Sequence, residues 1–299
     1  METRTDDDAL AVFVKTRPRL FGIAYRMLGT AAEAEDIVQE AWLRWQGADR
    51  SVVVDAPAFL ATITTRLAIN VAQSARSRRE AYIGPWLPEP VDTSADPTLG
   101  AERGQALELA VLLLLEKLTP TERAAYVLRE AFDYSHGEIA GILQLSEANA
   151  RQLVTRARKH IADERRASVS PEEQHRLLTA FVAAARKGDL AALENLFASD
   201  VVSYADGGGV VRAASRPVSG RERVAKFMVA IAPRFWTGAT VQWIEANGQA
   251  SILVSRDGAV VAVMTLDASA EGIDRLLWVM NPNKLAAFHP VTNPSPVRS

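Results

Sequence analysis

The chain has no cysteine among its 299 residues, which excludes disulfides, thiolate zinc sites and a cysteine nucleophile. Its four histidines are scattered. An all-histidine metal cage is therefore not expected, and neither is any cofactor. No apolar run approaches the roughly 20 residues needed to cross a bilayer. Residues 1–10 are acidic and polar, unlike a secretory leader. A cytoplasmic location away from membranes is expected. No charge sign dominates, since 34 Lys and Arg stand against 36 Asp and Glu, a formal net charge of −2. That balance looks wrong for a nucleic-acid binder, but the sum hides local clusters: Arg76, Arg78 and Arg79, then Arg156, Arg158, Lys159, Arg165 and Arg166. Internal repeats and low complexity are missing as well, apart from a tail, 290–299, that reads as flexible. With 48% hydrophobic and 23% charged residues, a chain of this length holds two or three compact domains.

The most informative stretch is Leu118–His160, which carries the start signals of three short helices. Thr119 caps a helix with Pro120 at its first position, and Glu122 stands where a capping box needs it. Ser135 and Glu138 repeat that spacing, and Ser146 begins a third helix. The turn around Leu145 joins the last two helices as in a helix-turn-helix. The third helix sets Arg151, Gln152, Arg156, Arg158 and Lys159 beside the apolar Leu153, Val154 and Ile161. Taken alone this is a solvated basic face; on the second helix of such a motif it fits a major groove.

The run from Leu118 to Ile161 resembles region four of a bacterial sigma factor, the promoter-recognition subunit of RNA polymerase, in the extracytoplasmic-function group. The resemblance implies that Arg151, Arg156, Arg158 and Lys159 hold DNA, with Asn149 and Gln152 placed for base edges of the minus-thirty-five element. Residues 6–46 show apolar positions at helical spacing and an acidic face of Glu35, Asp36, Gln39 and Glu40, with Trp42 and Trp45 beyond it. That face alone is a solvated stripe. It resembles the region-two helix that clamps the polymerase core, which implies core contacts by Asp36, Gln39, Glu40 and Trp42. Asp55 then caps a helix from Ala56 to about Ser77 with Phe59, Leu60, Ile63, Leu67 and Val71 inward. Arg66, Asn70, Arg76, Arg78 and Arg79 remain for phosphates, where the family opens the minus-ten element.

Residues 81–100 are rich in proline and glycine and form a linker. Tyr82, Trp86 and Leu87 give it more apolar bulk than a free linker carries. The run Trp86, Leu87, Pro88, Glu89, Pro90 resembles a motif of the sigma group that bears a SnoaL-like C-terminal domain. From Ser168 the pattern changes: two helices, then alternating strand-like runs (VVSYAD, VVRAAS, TVQWIEA, ASILVSR, AVVAVMTLDA, IDRLLWVM) with one helix between them. This reads as an α+β domain with a curved antiparallel sheet around helices, and the order resembles the SnoaL-like cone. Asp206, Gly207, Gly208 and Gly209, and Asn281, Pro282, Lys284 and Leu285, match two further motifs of that group. Asn283 departs from the acid usual there.

The fold class expected is thus multidomain. An all-α region-two bundle (1–80) precedes the linker (81–100) and an all-α region-four helix-turn-helix (101–167), and a SnoaL-like α+β cone (168–289) precedes the tail. Cones of this type enclose a pocket, and Tyr204, Asp206, Asp267 and His289 are the candidates for a catalytic base or oxyanion donor. Asp206 opens a glycine turn rather than sitting among apolar strand residues, so no catalytic residue is assigned. The resemblance implies a sigma factor that binds RNA polymerase core and promoter DNA. Its C-terminal domain would regulate it in cis in place of a separate anti-sigma protein, through the Trp86–Pro90, Asp206–Gly209 and Asn281–Leu285 segments. The alternatives are a regulator whose cone pocket senses a small apolar ligand, and a fused enzyme. A stand-alone helix-turn-helix repressor would not need the region-two segments.

Overall fold

The computed structural model describes residues 2–93 and 108–289, without the side chains of residues 2–8, 76–78 and 80. The expected DNA contacts of Arg76 and Arg78, the tail 290–299 and part of the linker lie outside this description. The chain divides into two compact units, Met1–Ala81 with Ala95–Arg166, and Tyr82–Ser94 with Ala167–Ser299.

The first unit is helical: α1 Glu2–Leu28, α2 Ala31–Gln46, α3 Ala56–Glu80, α4 Leu109–Leu115, α5 Pro120–Phe132, α6 His136–Leu143 and α7 Glu147–Glu164. Helix α1 packs on α2, α3 and α5. Its Leu20, Ile23, Ala24, Tyr25, Met27 and Leu28 are fully buried. The start signals do what their chemistry predicts. The Asp55 carboxylate accepts from the Ala58 N–H at 3.0 Å, both halves of the capping box form at Thr119/Glu122 and at Ser135/Glu138, and Ser146 Oγ accepts from the Asn149 N–H. Helix α6 ends at Gln144, held left-handed at φ 56°. Ser146 starts the next helix two residues on, so the turn is as tight as the motif requires.

The second unit contains α8 Pro171–Lys187, α9 Leu190–Leu196, β1 Phe197–Asp206, β2 Val218–Ser219, α10 Arg221–Trp236, β3 Ala239–Ala246, β4 Gln249–Arg256, β5 Ala259–Ser269 and β6 Gly272–Val279. Its six strands form one sheet in the order β2-β1-β6-β5-β4-β3, and the helices bury Leu178, Phe181, Val224 and Met228 in one core with Ile252, Met264, Leu276 and Trp278. Two hairpins turn at Asn247–Gly248 and Asp257–Gly258, where all four residues have positive φ, the two-residue turn that suits strand twist.

Two expectations are corrected. The sheet is mixed, because β1 runs parallel to β6; β2, α10 and β3–β5 intervene, long enough to bring the chain back in the same direction. The VVRAAS run is not a strand, since Gly208 and Gly209 take positive φ and the amides of Val210 and Val211 both turn back to the Gly207 carbonyl at 3.1 Å. Of the linker, Ala81 belongs to the first unit and residues 82–93 to the second.

Candidate functional site

In the first unit, two surfaces carry the residues of the sigma-like segments. On α7, Ala150, Leu153, Val154, Ala157 and Ile161 are buried. The opposite face leaves Asn149, Arg151, Gln152, Arg156, Arg158 and Lys159 exposed. Three of these cations hold surface glutamates: Arg151 with Glu147 at 3.1 Å, Arg156 with Glu122 at 3.4 Å and Arg158 with Glu130 at 2.7 Å. Exposed pairs of this kind are weak, and a phosphate exchanges for a carboxylate at little cost. On α2, Asp36 and Gln39 are exposed and Glu40 is half-buried, pairing with Arg44 at 2.9 Å. Trp42 lies half-buried with its ring 4.7 Å from that of Phe13. Trp45, expected on the outer face, is buried, and its indole N–H donates to the Ala9 carbonyl at 3.1 Å.

Arg66 and Arg79 both make hydrogen bonds within the first unit. Arg66 donates to the Ile142 carbonyl at 2.9 Å and to that of Gly141, and so satisfies orphan acceptors at the end of α6. Arg79 pairs with Glu116 and donates to the Leu28 carbonyl. Asn70 stays exposed. The same seam holds Arg123, which is buried and bonds both the Met27 carbonyl and Glu116 at 2.6 Å. Arg19 crosses it too, 4.8 Å from the Tyr134 ring and bonded to the Phe132 carbonyl at 3.0 Å. Sequence reading had no signal for this seam, because arginines that bond backbone carbonyls look like any basic helix.

In the second unit, the three motif segments meet at one carboxylate. Asp206, the last residue of β1, is fully buried. Its Oδ1 accepts from the Tyr82 hydroxyl at 2.6 Å and the Gly208 N–H at 3.0 Å; its Oδ2 accepts from the Leu87 N–H at 2.9 Å and from Lys284 Nζ at 2.7 Å. Lys284, also buried, donates to the Leu87 carbonyl as well. Its ammonium lies 4.4 Å from the centre of the Trp86 ring and 5.2 Å from that of Tyr82. The Asn281 amide donates to the Tyr82 hydroxyl at 2.8 Å. Burial, and then the hydrogen bond and negative charge of Asp206, push the Tyr82 hydroxyl pKa well above the usual tyrosine value. Leu87, Pro88 and Pro90 are buried while Trp86 and Glu89 are half-buried.

The glycines permit this close fit. Gly208 has φ +63° and a Cβ there would collide with the Asn281 amide; Gly209 has φ +71° and lies against Ile83. Of the third motif, Pro282 is exposed, Leu285 is buried, and the Asn283 N–H donates to Asn281 Oδ1 at 3.1 Å. The linker then runs along the open edge of β3. Val91 and Asn247 exchange hydrogen bonds at 2.9 and 3.0 Å, the Thr93 N–H donates to the Glu245 carbonyl at 3.1 Å, and the Thr93 hydroxyl donates to the Glu245 carboxylate at 2.9 Å. Composition gave no sign of this edge contact, which needs a partner strand already in place.

The four catalytic candidates do not form a site. Asp206 is occupied by Tyr82, Leu87 and Lys284, Asp267 pairs with Arg275 at 2.7 Å, Tyr204 is half-buried and His289 exposed. None of them lines the cavity of about 460 Å³ in this unit.

These features define a Sigma-70-type factor with an added domain. Residues 12–79 match the family "Sigma-70 region 2" and residues 108–161 the family "Sigma-70, region 4". The chain is 39% identical over 286 residues to the ECF RNA polymerase sigma factor SigJ of Mycobacterium tuberculosis, covering 91% of each. It is 32% identical over 286 residues to the probable ECF RNA polymerase sigma factor SigI of the same species, covering 93% of this chain and 95% of that one. The crystal structure of the M. tuberculosis extracytoplasmic function sigma factor SigJ matches with a TM-score of 0.76 at 32% identity, over 95% of this chain and 100% of that one. The chain belongs to the extracytoplasmic-function sigma factors of RNA polymerase, and it directs promoter-specific initiation of transcription.

Proposed function

We propose that this sigma factor is controlled in cis by its C-terminal unit, which holds the segment joining its two sigma regions. The observation that carries this reading is the Asp206 carboxylate, which binds Tyr82 and Leu87 of the linker and Lys284 of the last motif at once. A linker held along its first half restricts how far region four can move from region two. Opening is what the DNA-binding role requires, since Arg66 is occupied at the end of α6 when the two regions pack together. The clamp controls transcription only if it binds one arrangement better than the other.

In the open form, Asp36, Gln39, Glu40 and Trp42 meet the polymerase core. Arg66 and Asn70, with Arg76, Arg78 and Arg79, hold the minus-ten strand, while the exposed face of α7 reads the minus-thirty-five element. The built-in clamp takes the place of a separate anti-sigma protein. The C-terminal unit acts as a regulator in this reading because its three motif segments meet at Asp206, which holds the linker. The factor works in the cytoplasm, and no described helix is long and apolar enough to cross a membrane.

Run-off transcription with purified polymerase core tests the reading, using the full chain, Asp206→Ala and Leu87→Asp. Both variants are expected to bind core as the parent does and to change the yield of specific transcript several-fold. Unchanged yield from variants whose linker has become protease-sensitive would overturn control by the clamp. Failure of every form to bind core would overturn the assignment of the α2 face.

A further inference from the structure

The second unit encloses a cavity of about 460 Å³ among β1, β6, α10 and the 212–214 segment. That volume is within the range of small-molecule sites. Its walls are apolar, formed by Ala205, Phe227, Met228, Ile231, Phe235 and Trp278. The charged groups around it are of one kind. Arg212, Arg234 and Arg256 line it, and among the described residues no carboxylate, histidine or tyrosine does. None of these three arginines forms an ion pair with a described side chain, unlike Arg176 and Arg275 of the same unit, which hold Glu173 and Asp267. Trp278 is only 4% exposed, and its indole N–H has no acceptor among the described residues, nor does the buried Nε of Arg256. Arg256 is meanwhile oriented by its Nη2, which donates to the carbonyls of Arg234 and Phe235. Buried donors without acceptors are rare because each forfeits its hydration.

We infer that this cavity binds an apolar carboxylic acid, its hydrocarbon body against Phe227, Met228 and Ile231 and its carboxylate accepting from Trp278 and Arg256, with Arg212 and Arg234 adding positive charge. A lining dominated by donors suits an acceptor-only head group, and it disfavours cations and leaves little recognition for neutral molecules. The site adjoins the linker clamp without sharing its residues. Ala205 faces the cavity where its neighbour Asp206 faces the linker, as strand alternation dictates, and Met280 beside Asn281 does likewise. Binding stands or falls apart from control of transcription, because it concerns only this cavity.

Isothermal titration of the full chain tests it, with decanoate and 2-naphthoate as acids, decanol as the neutral counterpart and decyltrimethylammonium as the cation. At least one acid is expected to bind one to one, about tenfold or more tighter than decanol, and the ammonium not at all. Arg256→Gln and Trp278→Phe, which keeps an aromatic ring, are each expected to weaken the acid about tenfold, while Arg176→Gln leaves it unchanged. Equal binding of acid and alcohol, no binding of either acid up to about 1 mM, or full affinity in Arg256→Gln would overturn the proposal. The comparison of ligands on the unaltered chain decides even if Trp278→Phe fails to fold.

Discussion

Asp206 shows how one residue can be both a turn and a hub. Its carboxylate accepts four hydrogen bonds, which uses all its lone-pair sites. Lys284 is its charged partner at 2.7 Å, and both groups are buried. Asp206→Asn therefore leaves a buried ammonium without its counter-charge, and a loss of about 3–5 kcal/mol in the unfolding of the second unit is expected by chemical denaturation. The double change Asp206→Leu with Lys284→Met is expected to be less destabilising than the sum of its single changes. Tyr82 makes a prediction about pH. Its folded pKa lies above the unfolded value of about 10, so the folded state keeps the proton longer. The stability this contributes is fully present below about pH 10 and is lost as pH rises toward the folded pKa. Tyrosinate absorbance is expected to lose a late-titrating component in Tyr82→Phe, while that of Tyr126, whose hydroxyl pKa burial also raises, remains.

The helix-turn-helix was the most legible element, because caps are written in consecutive residues and need no partner from elsewhere. Ser146 bonds the Asn149 N–H, and Ser146→Ala is expected to destabilise α7 by about 1 kcal/mol in thermal unfolding. On the exposed face of that helix the roles separate by chemistry. Lys159→Ala is expected to weaken promoter binding evenly across sequences and to lower its salt slope by about one; Gln152→Ala is expected to alter base preference, as competition binding with minus-thirty-five variants would show. Strand elements were less legible. The four strands with alternating or apolar runs after α10 form where their patterns place them. VVRAAS shares their β-branched composition but comes after Gly208 and Gly209, which take positive φ and bend the backbone before pairing can start. Composition cannot tell a strand from a loop whose ladder partner is missing.

At the scale of the whole chain, arginines join the two sigma regions through backbone carbonyls and Glu116. Arg123 contacts the end of α1 from α5, and it is buried beside Glu116. Arg123→Met is expected to cost about 3 kcal/mol by removing one of the two arginines that neutralise that carboxylate. The melting of regions two and four is expected to separate into two transitions by calorimetry, where a single one is expected of the parent for this unit. The division of the chain also differs from the order of its segments. Residues 82–93 fold with residues 167–289 and not with the helices on either side of them in sequence. Proline keeps the Trp86–Pro90 run out of regular structure, and the C-terminal unit supplies the partners that a bare linker would lack.

Local rules and motif spacing determined the helices of the first unit, their caps, the turn of the helix-turn-helix and the α+β character of residues 168–289, since each depends on residues within a few positions of one another. Those same motifs pointed to the three segments that meet at Asp206. Only the tertiary structure decided that they meet as a buried ion pair with a tyrosine, that Arg66 and Arg79 bond carbonyls of other helices, and that β1 lies parallel to β6. The physical reason is separation along the chain. Tyr82 and Asn281 are 199 residues apart, and a hydrogen bond over that distance is chosen by packing, which no local pattern encodes.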